Sequence, residues 1–444
     1  MLRNFEVIEI YYRKRSQIKK SLKIEFYKKL LFAIIILSQT FTVMAQNALS
    51  DLVTDEKISE LFAYELSEQD FDEDFKTLDK VSEDGLGFLI IPSSLNSNNY
   101  RQINEHLKQL KINPLIIYKG NNGEYNWPSN PGIGAVNDEK LIENWASSMA
   151  LNLRDGGFDM TFGNFPGISR PSESTESLAF SMNEDWEMVL SKASSQLDGF
   201  KKSDIKVIAP GFPGFMNLSE GQANKVNFDV ERIKNIELRP YAELIKDGVD
   251  IIQMSASLIN DKEGFTPFFL SGNWIKKILR KDLSFQNWVM SADIREVAEW
   301  YNARNGEIEL MAFEAGNDIL LNPENANATK RRIRSLIKKN KKENDRLEKL
   351  VSEILQLKSK TIDKNSIELP KAPHIEYEQL LRDNITIIDE AGLVPIKYLG
   401  IKKIACVHIG TDYPSILSAY LDKYDRIRHF RLRDRFNYYE KFEE

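Results

Sequence analysis

Residues 236–256 read IELRPYAELIKDGVDIIQMSA and contain one complete step of a repeating pattern. Apolar side chains recur every three or four positions up to Lys246, as in an amphipathic helix, and Gly248 marks its end. The run VDIIQM that follows is short, apolar and rich in β-branched residues, which is typical of a buried strand. A helix that leads through a tight turn into a buried strand is the building block of a parallel α/β sheet.

The same alternation extends from about Asp51 to Leu321. The strand-like runs are 86–92, 113–120, 158–165, 205–211, 249–256, 287–293 and 317–321, with a helical stretch after each of the first six. Over about 270 residues this rhythm favours a (β/α)8 TIM-type barrel over an open doubly wound sheet. No G-x-G-x-x-G motif follows any of these strands, which removes the main reason to prefer a dinucleotide-binding sheet.

The predicted barrel, residues 46–360, ends in a long charged helix over 324–359 with KRRIRSLIKKNKK at its centre. Such a basic segment is consistent with binding to nucleic acid or to a membrane surface. Apolar residues at helical spacing favour a helix that packs one face on the domain: Leu336, Ile337, Leu347, Leu350, Ile354 and Leu355. Residues 361–377 then read as a polar, proline-broken linker, and 378–444 as the truncated start of a second α/β domain.

Residues 1–45 indicate a secretory signal peptide. Basic residues precede the apolar run LLFAIIILSQTFTVMA, which ends in the small-residue pair Val43 and Ala45 of a cleavage site. The alternative is a transmembrane anchor, but the apolar core of about 15 residues is shorter than the ~20 that a span needs. We therefore expect an exported protein without a stable membrane span.

The composition of the chain restricts its cellular location and the classes of partner that it can bind. The formal net charge of −6 argues against a nucleic-acid binder. Cys406 is the only cysteine, so no disulfide forms within the chain, and an exported protein of this kind suits the periplasm or surface of a Gram-negative bacterium. We interpret Cys406 as a buried structural thiol. No metal-binding cluster and no phosphate loop stand out, so no cofactor is expected.

Four segments, in the right order, resemble glycoside hydrolase family 3 in its bacterial β-N-acetylhexosaminidase branch. They are LSDLVTDEKISELF (49–62), IELRPYAELIKDGVDIIQMSA (236–256), FLSGNWIKKILRKDLSFQNWVMSAD (269–293) and AFEAGNDILLNPENANA (312–328). The resemblance covers about 48–360 as the barrel, and 378–444 resemble the start of the α/β sandwich that follows it. It implies a glycan or a peptidoglycan fragment as the ligand.

The resemblance also implies a catalytic apparatus that this sequence does not carry. The family's nucleophile is the Asp of a [ST]-D pair, which falls here on Ser291 and Ala292. Its K-H-F-P-G-H-G signature falls on residues 210–216, where the turn Phe-Pro-Gly is kept and the lysine and both histidines are absent. The other expected polar positions fall on Gly120, Gly167, Phe180, Gly221, Ala223 and Ala256. None of the four histidines, His106, His374, His408 and His429, lies in a segment predicted to face the barrel mouth.

One fallback nucleophile is Asp293, which follows the family position directly. Consecutive strand residues point to opposite faces, so Asp293 reaches the mouth only if the strand slips by one position. Four aromatic residues, Phe165, Phe180, Phe212 and Phe215, either plug the mouth or form a platform that stacks a sugar ring. Tyr118, Tyr125 and Trp127 add to the platform interpretation.

Three hypotheses about function follow from these residues. The leading one is an exported family 3 protein without hydrolase chemistry, acting in glycan binding or as a scaffold. The alternative is an active β-N-acetylhexosaminidase that uses Asp293 and an acid outside the family pattern. The third is a truncated product without function. No protein partner is indicated by the sequence.

Overall fold

The computed structural model describes residues 49–67, 71–120, 127–164, 166–168, 181–214, 233–261, 264–298, 301, 303–360, 366–385, 405–409, 416–424 and 427–432. The chain divides into two compact units, Met1–Ile385 and Thr386–Glu444. Each is described here by itself.

The first unit is built on an eight-stranded parallel sheet. In chain order the strands of this unit are β1 Phe62–Glu65, β2 Phe88–Pro92, β3 Leu115–Lys119, β4 Met160–Phe162, β5 Lys206–Phe212, β6 Ile251–Met254, β7 Leu258–Asp261, β8 Gly264–Pro267, β9 Trp288–Met290 and β10 Leu320–Leu321. Strands β7 and β8 form a separate antiparallel hairpin, and the other eight follow one another around the sheet in the order β10-β1-β2-β3-β4-β5-β6-β9.

The two ends of this sheet meet. Met290 and Ile319 form a parallel bridge, and the amide of Ser291 donates to the carbonyl of Ile319 at 2.9 Å. On the other side, Phe62 of β1 pairs with Leu320 of β10. The sheet therefore closes into the TIM-type barrel that the sequence predicts.

Helical segments follow the barrel strands and surround them. They are α1 Thr54–Ser59, α2 Phe71–Val81, α3 Ser97–Leu110, α4 Asn130–Ala135, α5 Glu139–Asp155, α6 Trp186–Lys201, α7 Leu238–Lys246, α8 Ile294–Ala298, α9 Glu307–Ala315, α10 Ala326–Lys339, α11 Lys341–Lys360 and α12 His374–Asp383, with π-helical segments at Ile233–Glu237 and Asn273–Asp282. The buried apolar residues of strands and helices form one cluster, so the core lies both inside the barrel and between strands and helices.

Several features of the secondary structure differ from the sequence prediction, among them the hairpin of β7 and β8, which was not predicted. Strand β1 was not predicted, because the helical stretch 49–62 runs into it with only Glu60 and Leu61 between them. The predicted single helix over 324–359 was wrong: it is two helices that meet at Asn340. The side chain of Asn340 accepts a hydrogen bond from the amide of Lys342 at 3.1 Å, and this cap starts a new helix.

The described part of the predicted linker runs along the outside of the barrel. The amide of Glu368 donates to the carbonyl of Gly156 at 2.9 Å, and Ser148 donates to Glu376 at 3.0 Å. Helix α12 buries Leu380 and packs against α5. The first unit thus extends through α12 to Ile385, past the predicted linker end at residue 377.

The second unit contains the strand–helix–strand order that the sequence predicts. Strand β11, Ala405–Ile409, pairs in parallel with β12, Arg428–Leu432, and α13, Ile416–Leu421, lies between them in sequence. Cys406 lies in β11, where its side chain is partly buried. Among the residues described in both units, no helix combines the length and apolar character needed to cross a membrane.

Candidate active-site mouth

Charged and polar side chains gather at the carboxyl end of the barrel, where the active sites of TIM barrels lie. We define the mouth cluster as Glu65, Lys119, Asp293, Arg295, Glu296 and Asn322. These residues come from the ends of β1, β3, β9 and β10, and only Asp293 was singled out from the sequence.

An ion pair crosses one side of this mouth. Tyr64 in β1 donates from its hydroxyl to Asp74 of α2 at 3.1 Å, so its side chain points outward to the helix layer. Because side chains alternate along a strand, Glu65 points to the inside. There its carboxylate contacts Lys119 at 2.5 Å, across the end of the intervening strand β2.

The carboxylate of Asp293 is held by four hydrogen bonds. Its Oδ1 accepts from the amide and Nε of Arg295 at 2.9 and 3.2 Å, and its Oδ2 accepts from Nη2 of Arg295 at 2.8 Å and from Nδ2 of Asn322 at 2.7 Å. Asn322 in turn accepts from the amide of Glu65 at 2.8 Å. A carboxylate has about four lone-pair sites, so every one of them on Asp293 is occupied.

Asp293 reaches this position without a slip of the strand. Strand β9 ends at Met290, and the alternation of side chains that would turn Asp293 away from the mouth ends with it. The hydroxyl of Ser291 accepts from the amide of Leu321 at 2.9 Å and fixes the loop that follows. This local geometry could not be read from the sequence, because a three-residue strand is shorter than the predicted run 287–293.

Ala292, which the sequence predicts to occupy the family's nucleophile position, is part of the hydrophobic core and is only 4% exposed. The site therefore presents a buried methyl group there, and the adjacent carboxylate of Asp293 is engaged by Arg295. Partial burial lowers the pKa of Arg295, but the hydrogen bond and charge of Asp293 outweigh that effect and raise it above its usual value. The two residues behave as a tightly coupled ion pair.

Glu296 is a carboxyl group of the cluster that titrates near neutral pH. Desolvation by the surrounding protein raises its pKa to about 7; the charges of Asp293 and Glu65 add to this rise, and those of Lys119 and Arg295 oppose it. The side chain stays accessible to solvent. Both properties fit a group that lines a concave surface, which is surrounded by protein and yet reached by water. The only sequence feature that could have pointed to Glu296 is its position at the start of the helix that follows β9.

The position predicted to carry the family's early acidic residue is blocked. A Cβ atom built on Gly120 would come within 2.0 Å of Cδ2 of Trp127. Trp127 is itself in the core, stacked on Phe200 with ring centroids 5.8 Å apart, and Tyr118 packs beside it. These two rings support the fold, and neither offers an open face to a sugar.

Of the four phenylalanines predicted to form a platform or a plug, the structure describes Phe212. Phe212 is fully buried and packs edge-to-face on Tyr241 of α7, with centroids 5.2 Å apart, so its position does not support a sugar-binding role. Phe165, Phe180, Phe215 and Tyr125 lie outside the described residues. Gly214, the last residue of the turn that begins with Phe212, is buried beside Glu237.

In the first unit, the described histidine side chains lie away from the mouth. His106 of α3 contacts Asp79 at 2.9 Å and stacks on Phe75, on the outside of the barrel. His374 is exposed at the start of α12, and His429 contacts Asp422 in the second unit at 2.8 Å. Within the described ranges, no group of three or more His, Cys, Asp and Glu side chains is arranged to hold a metal ion.

Comparison with curated proteins gives bacterial β-hexosaminidases. The chain is 28% identical to the "Beta-hexosaminidase" of Glaesserella parasuis over 144 residues, which are 32% of this chain and 42% of that protein. It is 27% identical to the "Beta-hexosaminidase" of Stenotrophomonas maltophilia (strain K279a) over 185 residues, 41% of this chain and 54% of the relative. The alignments thus span about half of these relatives' own length.

Solved structures of glycoside hydrolases have the same fold. A glycoside hydrolase family 3 β-N-acetylglucosaminidase from Paenibacillus sp. str. FPU-7 superposes with a TM-score of 0.66 at 19% identity, covering 86% of this chain and 80% of the other. Residues 53–357 match the sequence model described as "Glycosyl hydrolase family 3 N terminal domain". This match covers well over half of the chain, and the chain therefore belongs to glycosyl hydrolase family 3.

Proposed function

We propose that this protein binds N-acetylhexosamine-containing glycans at the barrel mouth and does not hydrolyse them. The observation that carries the proposal is the end of β9, where the methyl group of Ala292 is buried and the carboxylate of Asp293 accepts four hydrogen bonds. A nucleophile needs a free lone pair aimed at the sugar carbon, and Asp293 has none to give.

Glycan binding is supported by the family and by the chemistry of the mouth. The names of the curated relatives point to hexosamine-containing sugars. Glu65 and Lys119 present an acceptor and a donor side by side, and about two fifths of the Lys119 side chain is exposed. Sugar hydroxyls both donate and accept, so they pair well with such neighbouring charges.

A second candidate function is hydrolysis by a rearranged pair of carboxyl groups. Glu296, with a pKa of about 7, is suited to donate a proton to a leaving oxygen at neutral pH. Asp293 would then act as the nucleophile after Arg295 swings away. The bidentate ion pair between Asp293 and Arg295 opposes this movement, and for this reason we rank the candidate second.

The binding proposal is tested by calorimetric titration with chitobiose, a β-linked dimer of N-acetylglucosamine. The double variant Glu65→Gln/Lys119→Gln keeps the shape of the mouth and removes both charges without leaving either unpaired. We expect the wild-type protein to bind and this variant to bind at least about tenfold more weakly, equivalent to ~1.4 kcal/mol.

The matched control is Glu314→Gln/Lys339→Gln, which removes one charge of each sign from exposed positions on α9 and α10. It should bind like the wild type. No heat of binding with wild-type protein, or equal affinity in both double variants, would overturn the proposal.

Export belongs to the same proposal and depends on residues 1–45, which lie outside the described part of the chain. We propose that the protein is carried to the periplasm or cell surface, where glycans of the cell wall are accessible. The basic stretch before the apolar run and the Val43–Ala45 signal support it.

A further inference from the structure

A surface cavity lies on the outside of the barrel, between α10 and the loop that precedes α9. Its volume is about 410 Å³, and it is lined by Arg304, Asn305, Ala328, Arg331, Arg332 and Ser335. The four α10 residues are spaced so that they lie on one helix face, since positions three, four and seven apart are neighbours.

The loop is held against α10 by two close contacts. A Cβ atom on Gly306 would meet the amide nitrogen of Thr329 at 2.6 Å, so only glycine allows this approach, and its φ is +74°. Nε of Arg332 donates to the carbonyl of Asn305 at 2.8 Å. This bond uses one edge of the Arg332 guanidinium and leaves its terminal nitrogens free to donate elsewhere.

The charge in this cavity is uncompensated among the described residues. On the other face of the same helix, Lys330 pairs with Asp84, and Arg334 pairs with Asp55 at 2.6 Å. Arg304 and Arg331 form no ion pair with any described residue, and no carboxylate lines the cavity. Three guanidinium groups on one small cavity repel one another unless an anion joins them.

We propose that this cavity binds a phosphate group. Guanidinium groups match the oxygens of phosphate in a bidentate way, and Ser335 and Asn305 add neutral donors beside them. A dianion offsets three cations better than a single carboxylate does. The basic segment of α10 thus has a specific role that is separate from the barrel mouth and independent of the glycan-binding proposal.

The test is isothermal titration at constant ionic strength with two probes, inorganic phosphate and glycerol 3-phosphate. Wild-type protein is expected to bind at a single saturable site, and Arg304→Gln and Arg331→Gln should each weaken binding at least about tenfold. Lys339→Gln removes one charge from the same helix outside the cavity, and its affinity should stay within about twofold of wild type.

The two probes separate the sources of the phosphate group. If inorganic phosphate and glycerol 3-phosphate bind equally well, the cavity recognises the phosphate group alone. If glycerol 3-phosphate binds more tightly, the cavity also recognises the molecule that carries the phosphate. Circular dichroism checks the fold of each variant, and both altered arginines are exposed. Absence of saturable binding for both probes, or equal weakening in Lys339→Gln, would overturn the proposal, whatever the result with chitobiose.

Discussion

At the scale of single residues, the mouth holds two carboxyl groups of different character close to the alanine that is predicted at the nucleophile position. Ala292 has no carboxylate, Asp293 has one that is fully hydrogen-bonded, and Glu296 has one that holds its proton near neutral pH. The sequence placed Ala292 and Asp293 at the correct strand end. It could not identify Glu296, because its raised pKa comes first from desolvation by the surrounding protein, which exists only in the folded barrel.

Glu296→Gln is expected to change how stability depends on pH. The pKa of Glu296 rises from its usual 4.5 to about 7 on folding, so the native state holds its proton more tightly than the unfolded chain does. Its contribution to stability is therefore fully present below pH 4.5 and is lost as the pH rises through about 7. Because the side chain is accessible, solvent screening limits the effect to about 1 kcal/mol or less.

Urea unfolding at pH 5 and pH 8 measures this effect. The free energy of unfolding of Glu296→Gln minus that of the wild type should be larger at pH 8 than at pH 5. Glu314→Gln, on the outer helix α9, is the control for loss of one negative charge. An identical change with pH in wild type and in Glu296→Gln would show that the surroundings of Glu296 do not favour its protonated form.

At the scale of elements, the strands and helices of the barrel were largely predictable, since apolar runs and amphipathic stretches alternate along 86–321. The exceptions have local causes. Strand β1 follows α1 so closely that the sequence does not show where the helix ends. The sequence on both sides of Asn340 is equally rich in charged residues, so the break between α10 and α11 was not visible. Such capping bonds depend on backbone geometry, and the hydrophobic period of the sequence does not encode them.

The close contact between α5 and α6 gives a prediction at this scale. A Cβ atom on Gly199 of α6 would lie 2.5 Å from Cβ of Ala146 and 2.5 Å from the carbonyl oxygen of Glu143. Although alanine is normally preferred over glycine in a helix by ~1 kcal/mol, we expect Gly199→Ala to lower the free energy of unfolding by about 1–3 kcal/mol.

Gly272→Ala is the matched control for this substitution. Its backbone is α-helical, with φ of −59°, and the nearest atom to the added Cβ is 3.9 Å away. It should be neutral or stabilising by up to about 1 kcal/mol. Chemical denaturation of both variants compares them directly, and equal effects of the two substitutions would refute the packing of α5 on α6 described here.

At the scale of the whole molecule, the barrel and its family were predictable from the sequence, and the contacts across the mouth were not. The sequence predicts no histidine at the mouth and an alanine at the family's nucleophile position. It does not predict the ion-pair network between the ends of β1, β3, β9 and β10. Which side chains meet across a closed barrel depends on strand register, and one sequence alone does not fix that register.

The central claim is that this mouth binds glycans without hydrolysing them, and it is tested most directly with 4-nitrophenyl N-acetyl-β-glucosaminide. Release of nitrophenol by the wild-type protein should equal release in buffer and in Asp293→Asn, across a range of pH around the pKa of Glu296, about 7. Release above background that disappears in both Asp293→Asn and Glu296→Gln, and falls as the pH rises above about 7, would contradict the claim and establish the second candidate function in its place.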